Sequence, residues 1–321
     1  MTTSNFSEAE LAWGLPARLS RLRPEACGLL TALNERVWQA GDPVVLGLVR
    51  VRVAQLIGNP AAYAWAASAA SSAASSAAQQ DVVDFAEQFV IDVGGTTEEM
   101  RDGLTARFGA DGAQALVTAI YVVEFTQRLQ LIAARLLDDT CAADPAGSFA
   151  EADFAAVDFA VHASAAGLLN AYQAAVVRGS ALDPVTTELV RLRCARTHHC
   201  RICQTLRLAD SRAAGVDEAM TAKVDFYERS DLPERAKVAL RVTDAFITRP
   251  DLLSDTVAGQ ARASFGPAEL ASLGLDITKW STQKIKVALG TDGADRLVTD
   301  ADGVALFGFD SGGQATGYRR R

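Results

Sequence analysis

Aromatic residues make up only 7% of the 321 positions, and the chain holds just five cysteines and three histidines. Five cysteines, Cys27, Cys141, Cys194, Cys200 and Cys203, are an odd and sparse set, which argues against an extracellular disulfide framework. A basic excess is also missing. Lys and Arg total 31 against 39 Asp and Glu, a net charge of -8, so phosphate-backbone binding to nucleic acid is not expected. No Gly-rich dinucleotide fingerprint suggests bound NAD or flavin, and no organic cofactor is expected. The start, MTTSNFSE, has no basic stretch followed by an apolar one, so the expected location is cytoplasmic. The longest weakly polar run, Pro60 to Ala78, is Ala and Ser rather than Leu, Ile and Val, and is no membrane span. It reads as a closely packed helix or, alternatively, as a low-complexity connector.

Helical periodicity dominates what is present. Leu29, Leu30, Leu33 and Val37 recur at three- and four-residue spacing, as do Leu116, Ile120, Val123 and Leu131. Strand-like alternation is scarce, and Asp42-Pro43 and Asp183-Pro184 have the form of an N-cap followed by Pro at the first helical position. The predicted class is all-α. At roughly 150 residues per domain the length suits about two units, and an internal repeat supports this. The stretch Asp42 to Ala54, DPVVLGLVRVRVA, aligns without a gap on Asp183 to Ala195, DPVTTELVRLRCA, and Arg107-Phe108-Gly109 echoes Ser264-Phe265-Gly266. The expected organisation is a helical unit at 15–140, a small polar linker at 141–154, a second helical unit at 155–305, and a flexible tail at 306–321.

The second unit carries the informative stretch, Glu188 to Arg207, ELVRLRCARTHHCRICQTLR. Cys200 and Cys203 form a C-x-x-C pair, which at the start of a helix lies within disulfide reach, and the helix N-terminus favours thiolate. Zinc held by this pair and a neighbouring His is set aside, because adjacent histidines directly before the first Cys are awkward for tetrahedral closure and no second Cys or His pair exists. No metal is expected. Cys194 aligns with Val53 and reads as a small buried apolar residue. If the chain turns near His198-His199, antiparallel helices at about 1.5 Å rise per residue bring Glu188 level with Arg207. A Glu188–Arg207 ion pair is then one reading of both residues.

The spacing Glu188-x11-Cys200-x2-Cys203, followed by a helix ending at Ala213-Ala214-Gly215, resembles the alkylhydroperoxidase D-like and carboxymuconolactone decarboxylase superfamily, whose pattern is E-x11-C-x2-C-x3-H. The stretches 232–240 and 244–247 resemble that family's next helix. The resemblance implies an all-helical bundle of two related units, a homo-oligomer, and reduction of a peroxide or other small-molecule oxidant with electrons from a separate thiol donor. It implies Cys203 as the peroxidatic thiol, Cys200 as the more exposed resolving thiol that meets the donor, and Glu188 as the group that deprotonates the pair. One departure matters: Arg207 stands where the family has His, and its charge can lower a thiol pKa but cannot relay a proton. His198 or His199 is the candidate replacement, against a bland reading with one ring in solvent and one packed at the helix junction. His162 is the third histidine.

In the first unit Gly47, Asn59, Ala62 and Ala66 occupy the aligned positions of Glu188, Cys200, Cys203 and Arg207, a catalytically empty copy. Tyr63 and Trp65 near it read as core residues. The leading expectation is a thiol-dependent peroxidase-like oxidoreductase. The alternatives are a non-catalytic scaffold of the same fold, and a lyase that would need His198 or His199 for acid–base work.

Overall fold

Both Asp-Pro pairs start helices. The computed structural model describes residues 14–60, 77–137, 164–295 and 297–317. Its first half contains α1 (Ala17–Leu22), α2 (Pro24–Ala40), α3 (Pro43–Ile57), α4 (Ala77–Asp92) and the long α5 (Glu98–Leu136). The second half runs through α6 (Ala165–Arg178), α7 (Pro184–Thr197), α8 (Arg201–Thr205), β1 (Leu206–Leu208), α9 (Ala209–Ala213), α10 (Glu218–Ala222), α11 (Glu234–Ile247), α12 (Asp255–Ser264), α13 (Pro267–Trp280), α14 (Gln283–Ala288), β2 (Ala305–Phe309) and β3 (Ala315–Thr316). The class is all-α with one small sheet.

Asp42 caps α3 by accepting from the amides of Val44 (2.8 Å) and Val45 (3.2 Å), and Asp183 caps α7 by accepting from the Thr186 amide at 2.8 Å. In each case Pro at the first position gives up an amide that would have had no partner in the helix. Single 3-10 turns stand at Val93–Gly95 and Pro250–Leu252, and Gly109, with φ 70°, breaks α5 where Gly266 caps α13.

α3 lies on α4 and α5, and α7 lies on α11 and α13, while α2 packs on α6 and α5 on α13 across the halves. One continuous core results, holding Leu33, Ile57, Phe89, Ile120 and Phe125 together with Val190, Cys194, Phe246, Leu273 and Ile277. The predicted apolar positions Leu29, Leu30, Leu33, Val37, Ile120 and Val123 are all buried in it. α5 is long and apolar enough to cross a membrane by length and composition, but 78% of its most apolar window is buried inside the protein, the signature of a core helix.

Two expectations change. The stretch from Cys200 to Gly215 is not one helix: α8 stops after five residues and the chain extends as β1 before α9 begins. Residues 306–317 are not a tail. β2 pairs in parallel with β1, Leu206 against Ala305 through Leu208 against Phe307, and β3 returns antiparallel to β2. The reason is aromatic: Phe307 and Phe309 pack on each other and on Trp280 of α13, with centroids 5.6–6.4 Å apart. Cys141, His162, Tyr63, Trp65, Ala62, Ala66, the linker at 141–154 and most of the Ala/Ser run lie outside the described residues.

Candidate functional site

α7 ends at Thr197, and the next residues must reverse the chain. His198 is the C-cap of the helix, and His199 follows it in the left-handed region, with φ 55°. This conformation is uncommon for a side chain other than glycine or asparagine. Its counterpart in the first half is Gly58, φ 72°. The two turns make reciprocal close approaches: a Cβ at Gly94 would lie 2.8 Å from His199 Cδ2, and one at Gly58 only 2.2 Å from Asp251 Oδ2. His199 is exposed and rests on the Gly94 backbone.

Cys200 then occupies the N-cap position of α8 and is bonded to Cys203 as a disulfide, with the Cα atoms 5.3 Å apart. Their exposure is the reverse of that implied by the resemblance. Cys200 is fully buried, and Cys203 is the partly exposed member. The cause is the reversal at His199, which turns Cys200 inward to the core while α8 carries Cys203 toward the surface.

Glu188 is buried on α7, but its partner is not Arg207. Arg191, one turn on, grips it with both arms, Nε to Oε2 at 2.6 Å and Nη2 to Oε1 at 2.8 Å. The same guanidinium donates to the carbonyl of Cys203 at 2.8 Å and to that of Leu206. Glu188 therefore connects to the cysteine pair through Arg191, which braces the end of α8 from below. Trp280 and Phe307 cover the guanidinium, their centroids 6.0 and 5.6 Å away. Arg207 points elsewhere because it sits in β1, not on a helix. It donates to Glu218 at 2.7 and 3.1 Å. Burial alone would raise the Glu218 carboxyl, and the Arg207 bonds and charge outweigh it, leaving it below its ordinary value.

The opposite end of the cysteine loop is held by Asp292, a residue for which the sequence offers no local signal. Its Oδ2 accepts from the Arg201 amide at 2.9 Å and its carbonyl from the Ile202 amide at 3.0 Å. The Arg201 guanidinium closes on both carboxylate oxygens at 2.8 and 3.2 Å.

His198 faces the interior. Its Nε2 lies 3.1 Å from Ser281 Oγ and its ring meets Phe125 edge-on. Burial, joined by the charges of Lys284, Arg128 and His199, pushes it well below the ordinary histidine value, so it is neutral near pH 7. The sign for stability follows: below about pH 6.5 the unfolded chain binds a proton that the folded His198 refuses, so stability falls with acidity by up to about 1.4 kcal/mol per pH unit from this group. Replacing His198 by Gln is expected to flatten that acid slope in denaturant titrations at pH 6.5 and below; an unchanged slope would refute the assignment. Burial pushes the Cys194 and Cys27 thiols up to about 12, which makes both inert. Among the described residues no group of three or more His, Cys, Asp or Glu is placed to hold a metal ion.

A buried charge cluster that the sequence reading missed lies beside His198. Glu124 on α5 accepts from Lys284 Nζ at 2.7 and 2.9 Å and from Arg128 Nε at 2.8 Å. The four-residue spacing of Glu124 and Arg128 was visible, but their depth was not.

The family described as "CMD: Carboxymuconolactone decarboxylase family" matches residues 163–224, which span α6 through the cysteine loop to α10. Two proteins from strains of Mycobacterium tuberculosis, "Uncharacterized protein MT2376" and "Uncharacterized protein Rv2313c", are each 33% identical over 305 residues, covering 92% of this chain and 100% of the relative. No solved structure matches the chain significantly. The matched segment contains the buried Glu188 and the cysteine pair, and the chain, all-helical in fold, belongs to the carboxymuconolactone decarboxylase family.

Proposed function

We propose that the protein is a thiol-dependent oxidoreductase that reduces hydroperoxides through a Cys200–Cys203 dithiol/disulfide cycle. The observation that carries this reading is the bonded pair itself, one sulfur buried and one at the surface, with the backbone on both sides of the loop braced. In the reduced protein the Cys203 thiolate attacks the terminal peroxide oxygen; the O–O bond breaks, the alcohol leaves after taking up a proton, and Cys203 becomes a sulfenic acid. Cys200 gives up its proton and displaces hydroxide from that sulfur, releasing water and closing the disulfide. A dithiol donor then attacks the disulfide and carries off the two electrons. Because Cys200 is buried, the mixed disulfide with the donor forms on Cys203, so one sulfur meets both oxidant and reductant.

The test is intact mass and thiol count of the reduced protein with a small excess of organic hydroperoxide. Wild type is expected to lose two hydrogens and both pair thiols, Cys203→Ser to lose neither, and Cys200→Ser to stop at sulfenic acid. Retention of the pair thiols in wild type would overturn the reading. One observation favours a non-catalytic scaffold instead: Arg207, at the position of the family's His, is engaged by Glu218 and offers no proton relay. Thiols inert to peroxide would decide for that reading.

A further inference from the structure

Cys200 stands where an N-cap side chain ordinarily accepts from the amides of the first helical turn, and in C-x-x-C pairs those amides lower the pKa of the first thiol. Here part of that supply is diverted. The Arg201 amide donates to Asp292 Oδ2 at 2.9 Å and the Ile202 amide to the Asp292 carbonyl at 3.0 Å, and Cys200 makes no side-chain capping bond. Asp292 is itself 3% exposed, although it lies some ninety residues downstream of the pair. Thirteen residues further on, β2 clasps β1 at the other end of the loop.

We propose that Asp292 is the positioning residue of the cysteine pair: by placing a buried anion at the turn that starts α8, and by taking the Ile202 amide, one of those from which an N-cap side chain accepts, it keeps Cys200 a poor nucleophile and leaves the chemistry to Cys203. This deepens the proposed redox reading, yet its test needs no turnover. The other charges around the loop are the Arg201 guanidinium on Asp292, the Glu188–Arg191 pair behind the Cys203 carbonyl, the Arg207–Glu218 pair beyond Leu206, Asp295 acting on Arg201, and the neighbouring His199 ring. Burial would raise the Asp292 carboxyl, and the bonds from Arg201 outweigh it, so Asp292 is an anion throughout the range in which thiols titrate.

Two variants change the local charge in opposite directions. Asp292→Asn keeps an acceptor for the Arg201 amide and removes the negative charge; Arg201→Met, at a side chain 63% exposed, removes the positive charge and leaves Asp292 in place. In the reduced full-length protein, the pH dependence of iodoacetamide alkylation at each cysteine is read by peptide mass. With Asp292→Asn the midpoint of the pair is expected to move to lower pH by about one unit, a roughly tenfold rise in thiolate below the midpoint, with an increased share of label on Cys200. With Arg201→Met the midpoint moves to higher pH. Loosened structure alone would move both variants the same way, so parallel shifts, or an unmoved midpoint in Asp292→Asn, would overturn the proposal. Opposite shifts in a protein whose pair ignores hydroperoxide would uphold Asp292 and defeat the peroxidase reading.

Discussion

Replacing Glu124 by Leu is expected to destabilise the fold by about 3–5 kcal/mol, the cost of breaking a buried ion pair from one side, whereas Lys284→Met is expected to cost far less. Three charges meet here, one negative and two positive, with side-chain exposures of 0% for Glu124, 1% for Arg128 and 2% for Lys284. Without Glu124 two buried cations lose the carboxylate that both bond, and only the charge of Asp92 still acts on Lys284. Among the described residues Arg128 keeps the carbonyls of Phe246 and Thr248, at 2.9 and 3.0 Å, but no carboxylate bonded to it. Without Lys284 the remaining Glu124–Arg128 pair is neutral overall, and a Met side chain refills the space against Phe89 and Phe125. Burial pushes Lys284 down to about 8, against the pull of Glu124. The unfolded chain therefore binds more protons between about pH 8 and 10.5, stability contributed by this group rises with pH across that window, and Lys284→Met removes the rise. Urea titrations at pH 7 and pH 10 check both statements; a larger loss in Lys284→Met than in Glu124→Leu would refute the charge count.

The helices and their starts were legible because their causes are local. Asp-Pro caps and three- to four-residue apolar spacing need no knowledge of the rest of the chain, and Leu33, Ile120 and Val123 are buried as that spacing requires. The pairing of Cys200 with Cys203 was legible for the same reason. Arg191 was half legible: it lies three residues from Glu188 on one helix face, but nothing in the sequence says that it also collects the Cys203 and Leu206 carbonyls. Arg207 was misplaced because α8 ends early, and it ends early because β1 gains a partner in β2, about a hundred residues away. The same contact hid the carboxyl-terminal strands, since Phe307 and Phe309 look sparse in a polar stretch and become a cluster only against Trp280. Exposure of the two sulfurs depends on the left-handed turn at His199, which rests on Gly94 of the other half. Pair chemistry is local, but access to it is tertiary.

Arg191→Met is the second substitution expected to do severe damage, again about 3–5 kcal/mol, because it leaves the Glu188 carboxylate 1% exposed without its bidentate partner. It also strips the carbonyls of Cys203 and Leu206 of their donor, so the end of α8 loses its brace and Cys200 in the reduced protein is expected to alkylate as readily as Cys203. These two consequences have different causes and can be separated. Adding Glu188→Leu to Arg191→Met removes the stranded anion and is expected to return much of the lost stability, because apolar residues can replace a buried pair at little cost. It supplies no donor for the two carbonyls, so Cys200 stays accessible. Stability recovered without protection of Cys200 assigns Glu188 to holding Arg191 and Arg191 to holding the loop. A double variant no more stable than Arg191→Met alone would show instead that the carbonyl brace dominates. A third result, peroxide-driven disulfide formation lost in Glu188→Gln while its unfolding free energy stays within about 1 kcal/mol of wild type, would return Glu188 to the role of proton acceptor.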